Sequence, residues 1–214
     1  MTIPNSAPNS VPLASAIPTF TTRDSAKPDF WSERFEHAFT PWDKGGAPLA
    51  LQDYIKRSAP AVTLIPGCGV GYEVAYFAHA GWDVTAIDFS EAAVRAAQAV
   101  LGPLGSRVIE ADFFKFEPAA PVGLIYERAF FCALPPAMRP AVVARWAALL
   151  APGATLAGFF FFSDTPKGPP FGIDRLVLEQ MLQPYFELME DHPVADSIPA
   201  FVGKERWLVW RRRS

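Results

Sequence analysis

The sequence predicts one α/β domain: a Rossmann-like, mostly parallel seven-stranded sheet with helices on both faces. Three observations predict it. From residue 62 onward apolar strands alternate with helical segments, the order that gives a parallel sheet wound by right-handed crossovers. The first strand runs into a glycine-rich turn, Gly67 to Gly71, which opens directly into a helix. Ala154 to Phe162 is close to continuously apolar, as a strand covered on both faces must be.

The elements follow in order. With 214 residues, half of them apolar and including 18 Phe and 6 Trp, the chain can build one full hydrophobic core. Residues 1 to 25 are rich in Ser, Pro, Thr, Asn and Ala without periodicity, and read as a flexible tail that cannot offset its ordering entropy. Phe30 to Phe35 starts an aromatic-faced helix that breaks at Thr40-Pro41-Trp42, where proline ends helices. Pro48 to Arg57 reads as a second short helix. Val62 to Pro66 is a buried strand, and Tyr72 to Ala80 a helix ended by Gly81. Asp83 to Ile87 is the second strand, with Ser90 capping the next helix and Glu91 in its first turn. Arg107 to Glu110 and Val122 to Tyr126 are the third and fourth strands, followed by a helix from Ala137 to Leu150. After the fifth strand, Ala154 to Phe162, come a helix from Ile173 to Leu182 and two last strands, Tyr185 to Met189 and Arg206 to Trp210.

Composition excludes several classes. A formal charge of −3 argues against a nucleic-acid-binding face, and Arg211-Arg212-Arg213 reads as the solvated end of the last strand. Cys68 and Cys132 lie far apart and suggest no disulfide framework, so a reducing cytoplasm is expected. His37, His79 and His192 are scattered without ligand spacing, so no metal site is expected. Ala141 to Phe162 has the length of a membrane span, but Arg145 and Pro152-Gly153 interrupt it. The N-terminus lacks a basic region before an apolar stretch and does not resemble a secretory signal.

The glycine turn carries the chemistry. The dinucleotide fingerprint G-x-G-x-x-G fails here: counted from Gly67 its third glycine falls on Tyr72, and counted from Gly69 on Val74. The observed G-x-G-x-G suits the amino acid portion of S-adenosylmethionine, which has no phosphate to seat on a helix N-terminus. Asp88 closes the second strand at the edge where ligands bind, so it either accepts from both ribose hydroxyls or merely caps the following helix. Asp112 after the third strand is placed to accept from the adenine amino group while Phe113 lies on the ring; otherwise it is a solvated acid beside core phenylalanines.

Four segments, Asp29-Phe30-Trp31 through Trp42-Asp43, Leu64 to Gly71, Glu127 to Leu134 and Gly168-Pro169-Pro170-Phe171, together resemble the thiopurine S-methyltransferase family, including its thiol, thiocyanate and halide branch. The resemblance runs from about residue 28 to the C-terminus. It implies a class I S-adenosylmethionine-dependent methyltransferase domain over 26–214, with N-terminal lid helices over 26–58 and the Rossmann-like core over 59–214. It implies that Trp31, Phe35 and Trp42 close over the cofactor, that Gly67, Gly69 and Asp88 hold its methionine and ribose, and that Asp112 with Phe113 holds its adenine. Arg128 contacts cofactor or substrate by the same resemblance. The plant thiocyanate branch carries aromatic residues where this chain has Phe35 and Arg128, and these two departures tilt the resemblance away from a plant-type halide enzyme.

Indole faces attract cations, which independently supports an aromatic lid over a sulfonium; the alternative is that Trp31 and Trp42 are core aromatics. Arg128 either favours a thiolate electrostatically or is a structural partner of Glu127 or Asp112. Phe171 either walls the substrate pocket, with Trp42 and Arg128, or staples the next helix. The expected reaction is methyl transfer to a small molecule by proximity, without a catalytic residue, giving S-adenosylhomocysteine. A small methyl acceptor, no membrane or nucleic-acid partner and a monomer are expected. The alternatives are an oxygen or nitrogen methyltransferase, with Asp164 the nearby candidate base, a non-catalytic nucleotide-binding module, and a dehydrogenase disfavoured by the glycine spacing.

Overall fold

A computed structural model of the protein describes residues 18–165 and 167–214. Its seven-stranded sheet has the order β3-β2-β1-β4-β5-β7-β6. The strands are β1 (Val62–Pro66), β2 (Asp83–Asp88), β3 (Val108–Glu110), β4 (Val122–Arg128), β5 (Leu150–Phe161), β6 (Phe186–Pro193) and β7 (Glu205–Arg212). The first five pair in parallel, while β7 runs antiparallel between β5 and β6. Helices α1 (Pro28–Glu36) and α2 (Leu49–Arg57) precede the sheet, and α3 (Tyr72–His79), α4 (Glu91–Leu101), α5 (Arg139–Leu149) and α6 (Arg175–Leu182) follow its strands.

Strand side chains alternate between faces, and this chain uses both. Leu64, Ile125, Leu156 and Leu208 enter the core beneath α5 and α6. Their neighbours Ile65, Leu124, Ala157 and Val209 enter the core beneath α2, α3 and α4. Each such fully buried aliphatic side chain contributes roughly 1.5–3 kcal/mol relative to exposure. The near-continuous apolarity of these strands is the consequence of two covered faces.

Several boundaries differ from the sequence reading. β4 runs to Arg128, not Tyr126, because Glu127 pairs with Gly158 and Arg128 with Phe159. Gly158 allows this approach: a Cβ there would stand 2.0 Å from the Glu127 carbonyl oxygen. β5 starts at Leu150, which pairs with Val122 before a bulge, and not at Ala154. Arg107 ends a short 3-10 helix and β3 begins at Val108. The last helix begins at Arg175, with Asp174 as its cap. β6 and β7 are both longer than expected, since their antiparallel ladder extends to Pro193 and Arg212. The terminal arginines are also more engaged than a solvated end. Arg211 pairs with Glu187 at 2.6 Å, and Arg212 donates to the Ala147 carbonyl at 3.0 Å.

The expected tail of residues 1–25 divides. Residues 1–17 lie outside the described residues. Residues 18–25 are not a free tail: Ser25 is buried, Trp31 Nε1 donates to its carbonyl at 2.9 Å, and Phe20 packs on Phe39 with centroids 5.2 Å apart. Aromatic burial and Thr–Glu hydrogen bonds supply what composition alone did not suggest. Ala141 to Phe162 divides into α5 and β5, and among the described residues no helix is long and apolar enough to cross a membrane.

Candidate active site

A cavity of about 670 Å³ opens at the carboxyl ends of β1, β2 and β4, bounded by the glycine turn below and the N-terminal segments above. This is the edge where open α/β sheets bind ligands. Gly67, Gly69 and Gly71 all have left-handed φ, at +58°, +54° and +70°. Only glycine adopts these without strain. A Cβ on Gly67 would stand 2.5 Å from Phe130 Cδ2, so the bare backbone at Gly67 is also sterically required. Cys68 donates its N–H to the Ile87 carbonyl at 3.1 Å and so ties the turn to β2.

Asp88 ends β2, is buried and lines the cavity. Its Oδ2 accepts from Gly69 N–H at 3.1 Å and its Oδ1 from Ser90 N–H at 2.9 Å. It therefore fixes the glycine turn and the start of α4 together, and each oxygen keeps a further lone pair. Burial pushes its carboxyl up to about 6, against the lowering effect of those backbone donors. Ser90 Oγ accepts from Ala93 N–H at 3.2 Å as the α4 cap, and lies 2.9 Å from Ser32 Oγ of α1.

Asp112 and Phe113 both line the cavity. Asp112 accepts from Phe114 N–H at 2.9 Å and pairs with Lys115 at 3.1 Å. Phe113 is buried, edge-on to Phe130 with centroids 5.0 Å apart. Above them, Trp31, Phe35 and Trp42 form one aromatic group: Trp42 is edge-on to Trp31 at 5.3 Å and to Phe35 at 6.1 Å. Phe35 Cζ stands 3.5 Å from where a Gly69 Cβ would be, so the group lies directly over the turn. Lys44 holds this loop down through Asp196 at 2.9 Å.

Arg128 lines the cavity from the end of β4. Its partner is neither Glu127 nor Asp112 but Glu73 of α3, at 3.7 Å from Nε. Successive residues of β4 face opposite ways, so Glu127 turns from Arg128 and instead accepts from Phe131 N–H at 2.7 Å. The Arg128 guanidinium lies over the Phe159 ring, 4.9 Å from its centroid, and Tyr126 hydroxyl meets Glu73 at 3.5 Å. Burial raises the Glu73 carboxyl while Arg128 opposes the rise.

Phe171 is absent from the cavity wall. Gly168, Pro169 and Pro170 reach it, but Phe171 turns back against Gly168, donates its N–H to the Cys132 carbonyl at 2.6 Å and receives Arg139 on its own carbonyl at 3.0 Å. Asp164 is exposed and also off the wall. The sequence reading missed Phe20, Arg23, Glu73, Phe130 and Phe201, which do line it. Glu73 follows the glycine turn by two residues and Phe130 follows Arg128 by two, so both are legible in principle; Phe20, Arg23 and Phe201 arrive from distant segments.

Residues 26–213 match the family described as Thiopurine S-methyltransferase. The chain belongs to the thiopurine S-methyltransferase family. It is an S-adenosylmethionine-dependent methyltransferase. A thiocyanate methyltransferase 1 of Arabidopsis thaliana is 30% identical over 212 residues, covering 95% of this chain and 93% of its own. A probable thiol methyltransferase 2 of the same plant is 32% identical, covering 86% of this chain and 85% of its own. A thiopurine S-methyltransferase of Shewanella loihica is 25% identical, covering 86% and 95%. Among solved structures, the 1,6-didemethyltoxoflavin-N1-methyltransferase of Burkholderia thailandensis shares the fold, with TM-score 0.72, 20% identity and 87% of each chain covered. The residues of this family member fit its cofactor. The turn is stripped of side chains where a ligand must approach, a buried acid ends β2, and aromatic rings stand over the turn.

Proposed function

We propose that this enzyme methylates the sulfur of a small thiol or thiopurine-like acceptor. S-adenosylmethionine, when bound, supplies an activated methyl on a sulfonium whose sulfur departs neutral, so no acid is required. The Gly67 and Gly69 backbone would hold its methionine portion, Asp88 its ribose hydroxyls, and Asp112 with Phe113 its adenine. Trp31, Phe35 and Trp42, in a lid formed by residues 26–58 over the core of 59–214, would cover it and exclude water. Indole faces would also stabilise the sulfonium. Arg128 contacts cofactor or acceptor and favours the thiolate. With Trp42, Pro169 and Pro170 it bounds the acceptor side. Phe171 drops out of that role, since it lies off the wall.

The observation that carries the reading is the state of the acids on the cavity wall. Asp43 accepts from Gly45 N–H at 2.7 Å, Glu73 faces Arg128, Asp88 holds two backbone donors, and Asp112 faces Lys115. No histidine lines the cavity among the described residues. A hydroxyl acceptor must give its proton to a base as it attacks, whereas a thiol is several units more acidic and supplies its anion without a dedicated one. Catalysis is then alignment of nucleophile, methyl carbon and leaving sulfur. We place the enzyme in the cytoplasm as a monomer, in keeping with two free cysteines. A labelled-methyl assay across thiols, thiopurines, iodide, thiocyanate, phenols and amines tests the reading. Label on sulfur acceptors is expected; label on oxygen or nitrogen acceptors alone overturns it.

A further inference from the structure

Part of the cavity wall precedes the family match, which begins at residue 26. Phe20 and Arg23, on the strap formed by residues 18–25, both line the cavity. The strap is fastened to α1. Thr21 donates its N–H and hydroxyl to Glu33 at 2.7 and 2.8 Å, and Thr22 donates its N–H at 3.0 Å and its hydroxyl as well. Led by the Thr21 N–H, these donors hold the Glu33 carboxyl down at about 2, so the clasp stays charged across the working pH range. Phe20 lies against the Arg34 guanidinium, 4.3 Å from its ring centroid, and Arg34 lies over Phe30 at 3.3 Å on its other side.

Four cations line the cavity: Arg23, Arg34, Lys44 and Arg128. Two are committed, and Arg128 is largely buried at the end of β4, where it is assigned to the sulfur end of the acceptor. Lys44 pairs with Asp196 at 2.9 Å, and Arg34 is held between two rings and donates to the Phe30 carbonyl at 2.6 Å, while Arg128 faces Glu73 at 3.7 Å. Arg23 is exposed at the mouth and, among the described residues, has no ion pair or side-chain hydrogen bond. An exposed cation with no counter-ion among the described residues, on a strap anchored to α1 and beside an aromatic wall, attracts an incoming anion. We propose that Arg23 is a specificity-determining residue that reads a negative charge on the acceptor at the end remote from its sulfur. The preferred substrates are then thiols with a distal carboxylate or similar anionic group. This rests on the sulfur-methylation reading: sulfur lies deep against the methyl donor, and the distal anion reaches the mouth.

The test uses two acceptors of matched shape, 4-mercaptophenylacetate and 4-ethylthiophenol. Their binding to the full chain loaded with S-adenosylhomocysteine is measured by calorimetry for the unaltered enzyme, Arg23→Gln and Arg23→Glu. The expected result is that 4-mercaptophenylacetate binds about threefold more weakly to Arg23→Gln and about tenfold more weakly to Arg23→Glu, with 4-ethylthiophenol changed less than about twofold. Raising the salt concentration should shrink the difference. Equal loss for both acceptors, or no loss for either, overturns the assignment to Arg23. Methyl transfer is scored separately with S-adenosylmethionine: binding of both thiols without label on either sulfur overturns the sulfur reading and leaves the binding result to judge Arg23.

Discussion

The two sides of the cavity are built differently. On the glycine-turn side every key polar group is closed locally: Asp88 accepts from Gly69 and Ser90, and Cys68 bonds back to Ile87. On the β4–β7 side charged groups come from distant segments and are incompletely paired. Arg128 Nη2 on the wall and Glu127 Oε2 off it are buried without a partner among the described residues. Burial pushes Glu127 up to about 8 and raises Glu205 as well. Each orphaned buried group costs about 1–3 kcal/mol. The contrast teaches that the turn side is a finished backbone cradle, while the opposite side holds electrostatic tension. Such strain is typical of functional sites.

The sharpest way to break the comparison is Gly67→Ala. It forces a side chain into a +58° backbone and against Phe130 at 2.5 Å. Cofactor affinity by calorimetry should fall at least about 100-fold, because the cradle itself moves. Gly81→Ala is the control. Its φ is +81° but no atom lies within 4 Å of the added Cβ, so about 1 kcal/mol of stability should go and affinity should stay. Native-like binding by Gly67→Ala would show that the cradle is not needed.

On the opposite side, Arg128→Met leaves Glu73 buried without its counter-charge. Denaturant unfolding should show a loss of about 3 kcal/mol at neutral pH, most of it recovered in the double variant with Glu73→Gln. The loss should be smaller in acid, where Glu73 can take up a proton. Additive single effects would mean that the pair is not coupled.

Asp88→Ala should weaken cofactor binding by about 2 kcal/mol, from lost charge-assisted hydrogen bonds. Because its carboxyl sits at about 6, cofactor affinity should also decline as pH falls through that value, and Asp88→Asn should flatten the profile. For folding the sign is opposite. A raised carboxyl favours the folded state in acid, and that contribution is lost as pH rises through about 6.

Glu127→Gln should have the smallest effect on cofactor binding, since Glu127 does not line the cavity, and its effect is read in stability. The native contribution is fully present below the ordinary carboxyl value of 4.5 and is lost as pH rises through about 8. The variant should lack that loss, so its stability relative to the unaltered chain should rise steadily as pH goes from about 4.5 to 8, read as a widening difference in Tm. A constant difference across pH would place the proton elsewhere.

How much of this was legible depends on range. Gly67, Gly69, Asp88, Asp112 and Phe113 could be placed on the cavity from the strand–turn–helix pattern, since each follows a strand at the binding edge. The Arg128 partner could not. Glu73 is brought to it by the parallel pairing of β1 with β4, and no local pattern encodes that approach. Phe171 misled because its turn looked like a pocket wall, whereas bonds to Cys132 and from Arg139 direct it away. Residues 18–25 misled because their composition reads as tail, while their anchors, Glu33, Arg34 and Phe39, lie in the next segment.

By itself the sequence determined the seven alternating strands, the glycine backbone that no side chain can occupy, and the acid closing β2, because side-chain period and glycine conformation are local properties. Only the tertiary structure decided which charges meet, which loop reaches the cavity, and that residues 18–25 close over its mouth. Those outcomes depend on strand register and on contacts between segments far apart in the chain, and no single stretch of sequence carries that information.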